Sequence, residues 1–121
     1  MTRIRSKNTK PEMLVRKALT NKKIRYRLHV KKLAGQPDIV IPKLKTAIFI
    51  NGCFWHQHKN CKYSVMPKTN IIYWKPKLER NIEKQTQEVE KLKQEGWKIH
   101  VFWECQLKNL ELANKKLSKF L

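Results

Sequence analysis

Apolar residues first recur at helical spacing between Pro11 and Asn21, where Leu14, Ala18 and Leu19 share one side of a 3.6-residue repeat. Thr9-Lys10-Pro11-Glu12 precedes them as a capping box: the Thr hydroxyl can accept from the Glu12 N–H, Glu12 can reach back, and Pro11 forfeits no hydrogen bond in a first turn. The period then shortens to two. Tyr26, Leu28 and Val30 fall on one side and Arg27 and His29 on the other, which predicts a half-buried strand. After a turn at Gly35 come two short apolar runs, Ile39-Val40-Ile41 and Ala47-Ile48-Phe49-Ile50, which read as the arms of one hairpin.

Periodicity is lost from Asn51 to Thr69. A loop that long in so small a chain is functional or disordered, and its Cys, His, Phe and Trp content argues against disorder. A long helix follows from about Ile71 to Gln94, ended by Gly96, with the stripe Leu78, Ile82, Gln85, Val89 and Leu92. A polar Gln85 therefore falls on the side that should be buried. Trp97 to Trp103 has the apolar strength of a central strand, and Leu107 to Leu121 reads as a last helix. Helix, three strands, loop, helix, strand and helix predict an α/β fold of three layers about a mixed sheet. At 121 residues the expectation is one domain spanning 1–121.

Charge narrows the function. Lys and Arg total 28 against 9 Asp and Glu, a net of +19, which calls for a polyanionic partner, nucleic acid first of all. The apolar runs are too short to span a bilayer and the basic residues are not gathered on one amphipathic helix, so no membrane role is expected. Met1 to Lys10 lacks the apolar core of a secretory signal, which points to the cytoplasm. Three cysteines suit thiols kept for metal or packing better than a disulfide framework.

Asp38, the only aspartate, stands at the mouth of an apolar strand in Gly35-Gln36-Pro37-Asp38. Phosphodiester hydrolysis needs a divalent ion to neutralise the phosphate and acidify water, and Mg²⁺ wants carboxylate oxygen. Pro-Asp before a strand is also an ordinary turn, so the motif alone divides evenly between the two. Glu12 is a second candidate acid, already explained in part by capping. Cys53, Cys61 and Cys105 with either His56 or His58 supply the four ligands of a closed, structural Zn²⁺ site. Phe54-Trp55 can wedge between bases or fill a small core beside the zinc, and the residues by themselves favour the core.

Ile4-Arg5-Ser6-Lys7-Asn8-Thr9-Lys10-Pro11-Glu12, Gly35-Gln36-Pro37-Asp38, Gly52-Cys53-Phe54-Trp55-His56 and Trp103-Glu104-Cys105 together make the chain resemble the very short patch repair endonucleases, bacterial enzymes that nick DNA beside a T:G mispair. The resemblance spans almost the whole chain. It implies a restriction-endonuclease-like fold, Mg²⁺ bound by Asp38 and the Ile50 carbonyl, Glu12 in the active site, and acid–base chemistry at His56. It further implies zinc on Cys53, His58, Cys61 and Cys105, a DNA wedge of Phe54 and Trp55 with Met1 at the position of an inserted methionine, and double-stranded DNA as partner; nicking needs only one active site, so a monomer is expected. Three features depart from the family pattern, one of them an extra residue in the zinc loop between His58 and Cys61. Asn51 replaces a histidine and cannot take up a proton near neutral pH, and Gln85 stands where an aspartate pairs with the catalytic histidine, so it is expected to hold His56. These departures motivate a rival, a DNA-binding module of the same fold without catalysis. A zinc-containing RNA-binding protein is more distant, since it leaves Asp38 without a task.

Overall fold

Thr9 begins the first helix as its sequence predicts, its hydroxyl accepting from the Glu12 N–H at 3.4 Å, with Pro11 in the first turn. The computed structural model describes residues 9–59, 61–64 and 68–119. Met1, expected as part of the wedge, lies outside them. The elements are α1 (Lys10–Asn21), β1 (Arg27–Leu28), β2 (Ile39–Ile41), β3 (Thr46–Asn51), α2 (Ile71–Gln94), β4 (Lys98–Trp103) and α3 (Leu110–Ser118). Short 3₁₀ turns at Pro42–Leu44, Lys62–Ser64 and Glu104–Gln106 join some of them.

The strands form one sheet in the order β1-β2-β3-β4. β1 to β3 are antiparallel neighbours, and β3 pairs parallel with β4 in the register Thr46↔Lys98 to Asn51↔Trp103. The sheet is therefore mixed. Because β2 and β3 are covered on both faces, they read as unbroken apolar runs rather than as an alternation. Ile39, Ile41, Ile48 and Phe102 pack with Val15, Ala18 and Leu19 of α1 and Ala113 and Leu117 of α3. Ala47, Phe49, Ile99 and Val101 turn the other way, against Leu92 and Val89 of α2. The core thus lies in two slabs, with α1 and α3 on one side of the sheet and α2 on the other. Fully burying each large aliphatic chain contributes roughly 1.5–3 kcal/mol, and six Leu and Ile residues in the first slab are at most 1% exposed.

Several sequence expectations change in detail. The first strand is only Arg27–Leu28, because His29 adopts a left-handed backbone (φ 48°) that ends the extended run. The last helix starts at Leu110 rather than Leu107: Asn109 caps it, its Oδ1 accepting from Leu112 N–H at 2.9 Å, while Leu107 is buried ahead of the cap. Ile82, placed by periodicity on the covered stripe of α2, is 39% exposed, since α2 overhangs the sheet and only Leu78 and Leu92 are fully covered. Among the described residues no helix is long and apolar enough to cross a membrane.

Candidate active site and metal cluster

Parallel pairing of β3 with β4 brings the carboxyl ends of both strands together, and the candidate chemistry gathers there. Gly35 (φ 75°) turns the chain in before Pro37-Asp38, and a Cβ on it would come within 3.0 Å of the Glu88 side chain on α2. Asp38 thereby arrives beside the end of β3, where its Oδ2 accepts from the Ile50 N–H at 2.7 Å. Burial raises the Asp38 pKa to about 7; the Ile50 bond opposes this and the nearby Glu12 carboxylate adds to it.

Glu12 is buried, 1% exposed. Its Oε1 lies 3.1 Å from His29 Nε2 and its Oε2 lies 3.5 Å from the Arg16 guanidinium. Glu12, His29 and Asp38 direct one ligand atom each into a space where all three lie within 4.8 Å of one another. His29 escaped the sequence analysis because alternation assigned it to the side opposite Tyr26 and Leu28. The left-handed turn reverses its side chain, and its N–H is fixed by the Asp38 carbonyl at 3.1 Å. Nothing in the local pattern signals that reversal.

A cleft of about 610 Å³ opens over these groups, and Asn51, His56, Gln85 and Glu104 line it together with His29, Asp38 and Ile50. Burial lowers the His56 pKa, keeping the ring neutral near neutral pH. Its Nδ1 is buried and has no hydrogen-bond partner among the described residues. Gln85, expected to hold His56, makes a different contact. Its Oε1 accepts from Asn51 Nδ2 at 2.7 Å and its Nε2 donates to Asn51 Oδ1 at 2.8 Å, so both amide groups are spent on Asn51. The physical reason is complementarity: two carboxamides, each a donor and an acceptor, close a cyclic pair that a ring nitrogen cannot form.

The second cluster hangs from the same strand ends. Cys53 stands two residues beyond Asn51 and Cys105 two beyond Trp103, the paired last residues of β3 and β4, so equal overshoot brings the thiols together. His58 Nδ1 lies 3.6 Å from Cys53 Sγ and 3.4 Å from Cys105 Sγ, and Cys61 completes a group whose ligand atoms all lie within 4.8 Å. His58 and not His56 is the imidazole of this group. Tetrahedral Zn–S and Zn–N bonds of roughly 2.3 and 2.0–2.1 Å set the S···N edge at about 3.6 Å, so the donors fit that ion. Burial pushes the Cys53 thiol up to about 12, and its side-chain contacts with Cys105 and Cys61 add to the rise. His58 stacks on Trp103 at 4.1 Å, and the Cys53 N–H donates to Glu104 Oε1 at 3.3 Å, which ties the loop to β4.

Phe54 and Trp55, both half-buried, meet Trp74 of α2 at 5.5 and 5.8 Å, with Tyr73 adding a fourth ring. Lys77 lies over Trp55, Tyr73 and Trp74 at 5.4–6.0 Å. The pair thus sits in a half-buried aromatic cluster between the cysteine loop and the start of α2. Trp74 was missed, although Ile71-Ile72-Tyr73-Trp74 puts four large apolar residues at a helix start where a covered stripe needs only one or two. Ile72 is 92% exposed.

Residues 1–63 match the family model described as DNA mismatch endonuclease Vsr. Across 121 residues the chain is 41% identical to the type II nicking enzyme V.XorIIP of Xanthomonas oryzae pv. oryzae, covering all of this chain and 88% of that protein. It is 42% identical to the type II nicking enzyme V.NmeAIP of Neisseria meningitidis, over all of this chain and 86% of the relative. Identity to the DNA mismatch endonuclease Vsr of Escherichia coli is 32% over 122 aligned residues, all of this chain and 78% of the relative.

Proposed function

We propose, from the premise that the chain belongs to the DNA mismatch endonuclease Vsr family and is a DNA endonuclease, that it nicks one strand of a duplex beside a T:G mispair in a restriction-endonuclease-like fold. The observation that carries this reading is the convergence of Asp38 and His56 on one cleft at the strand ends. The relatives named as nicking enzymes and as a mismatch endonuclease support the reaction and the substrate respectively. Mg²⁺ at this site would supply charge neutralisation at the phosphate and acidify the attacking water.

Asp38 and the Ile50 carbonyl would hold that ion, with Glu12 beside them. His56, kept neutral by burial, takes a proton from the attacking water, and once protonated it can pass that proton to the leaving oxygen. Asn51 has no proton to exchange, and its amide, oriented by Gln85, positions water or phosphate instead. Zinc on Cys53, His58, Cys61 and Cys105 would pin the loop so that Phe54, Trp55 and Trp74 present a rigid edge. Unstacking a base step costs a few kcal/mol, least at a mispair, and stacking on these rings offsets it. The net charge of +19 supplies sequence-independent affinity. The test is Asp38→Asn: divalent-dependent nicking should fall at least about a thousandfold while duplex affinity stays within about threefold. Undiminished nicking would refute the assignment.

A further inference from the structure

The groove beside Asp38 contains a nitrogen donor that coordination by Asp38 and the Ile50 carbonyl alone does not use. Glu12, His29 and Asp38 offer two carboxylate oxygens and one imidazole nitrogen within 4.8 Å of one another. A six-coordinate ion with bonds of roughly 2.1 Å holds adjacent ligands about 3.0 Å apart. Glu12 Oε1 and His29 Nε2 lie 3.1 Å apart, a hydrogen-bond distance that also matches the edge of such an ion. Asp38 spends Oδ2 on the Ile50 N–H and keeps Oδ1 for a third vertex.

Two further features favour a built site over a chance contact. His29 reaches this position only through a left-handed backbone (φ 48°), a conformation that costs a β-carbon residue about 1 kcal/mol or more and that gathers at functional sites. Its N–H is bonded to the carbonyl of Asp38, so imidazole and carboxylate are braced by one backbone contact. Ligand chemistry points the same way: Glu12 and Asp38 bring two carboxylates to one imidazole, with a single guanidinium, that of Arg16, against the far oxygen of Glu12.

We propose that His29 is a direct nitrogen ligand of the divalent ion, so that the site binds a first-row transition ion such as Mn²⁺ in preference to Mg²⁺. Mg²⁺ is hard and prefers oxygen, whereas imidazole favours ions further along the first row. The inference rests on the metal site assigned to Asp38 under the proposed function, and it adds Glu12 and His29 as ligands together with the ion preference that the imidazole brings.

Pulsed electron paramagnetic resonance of Mn²⁺ reads the bond directly, because a coordinated imidazole imprints ¹⁴N modulation on the echo. The protein is used with zinc filling its cysteine cluster, as wild type, His29→Gln and Asp38→Asn. Gln retains a donor toward Glu12 and offers oxygen in place of nitrogen, and an unchanged Tm checks its fold. The wild type should show ¹⁴N modulation that His29→Gln abolishes, with Mn²⁺ affinity down about tenfold and Mg²⁺ affinity within about threefold. Absent modulation in the wild type, or modulation that survives in His29→Gln, overturns the proposal and leaves His29 as a positioning partner of Glu12. Mn²⁺ binding that is indifferent to Asp38→Asn overturns the metal site itself, and with it this inference.

Discussion

Gln85→Met removes both hydrogen-bond partners of Asn51 at once. Asn51 is 3% exposed, so its Nδ2 and Oδ1 lose bonds of 2.7 and 2.8 Å without gaining bulk water. A net hydrogen bond is worth about 1 kcal/mol, and a stranded buried group costs about 1–3 kcal/mol. Because the pair borders the cleft, where water can enter from one side, the lower end applies and about 2 kcal/mol of stability should be lost. For a chain of this length that lowers Tm by roughly 8 °C, at about 4 °C per kcal/mol. Asn51→Leu should cost a similar amount, leaving the Gln85 amide stranded. The double variant replaces both carboxamides by apolar chains of similar shape and should lie within about 1 kcal/mol of the wild type, a coupling of about 3 kcal/mol. Urea unfolding followed by circular dichroism at fixed metal content measures all four corners of the cycle. Additivity within about 0.5 kcal/mol would refute the claim that these amides stabilise the site chiefly through each other.

Other outcomes follow from the same geometry. Burial, opposed by the Ile50 bond and helped by Glu12, moves Asp38 from 3.8 to about 7 in the metal-free protein. A bound ion must displace that proton, so divalent affinity measured by calorimetry should rise about tenfold per pH unit up to about pH 7 and level off above it. In the metal-free protein stability should fall as pH rises from about 4 to about 7, because the folded chain keeps a proton that the unfolded chain releases; chemical denaturation across that range checks the sign. His58→Ala and Cys105→Ser should each reduce tightly bound zinc measured by elemental analysis, whereas His56→Ala should leave it unchanged; equal loss in all three would place the wrong imidazole in the cluster. Trp74→Ala should reduce nicking of a mispaired duplex about tenfold or more while changing affinity for a fully paired one less than threefold. Equal loss on both duplexes would make the ring a general contact.

Much of the layered fold was legible because its causes are local. The capping residue at Thr9 and the apolar runs of β2 and β3 act over a few positions. What escaped depends on backbone reversals and partner choice. His29 lies in an alternating stretch that reads as a strand, yet one left-handed residue delivers it to Glu12. Gln85 was recognised as a polar residue on a covered face, but periodicity carries no information on whether an imidazole or a carboxamide waits opposite. Trp74 sits on α2, 19 residues beyond Trp55, and only the packing of the cysteine loop against the helix start unites them. Glu12 shows how an adequate local explanation can conceal a second one: capping accounts for an acid at that position, and burial beside His29 and Asp38 gives it further work.

Asp38 ties these features together, and a strand-specific cleavage assay tests its role most directly. Duplexes differing only by T:G or T:A at one position, each strand separately labelled, are incubated with wild-type protein and with Asp38→Asn, with and without divalent ion. The expected result is a single nick beside the mispaired thymine, dependent on the ion, at least tenfold faster than on the T:A duplex, and lost in Asp38→Asn. Binding of either duplex without cleavage under any divalent ion, or cleavage indifferent to Asp38, would contradict it.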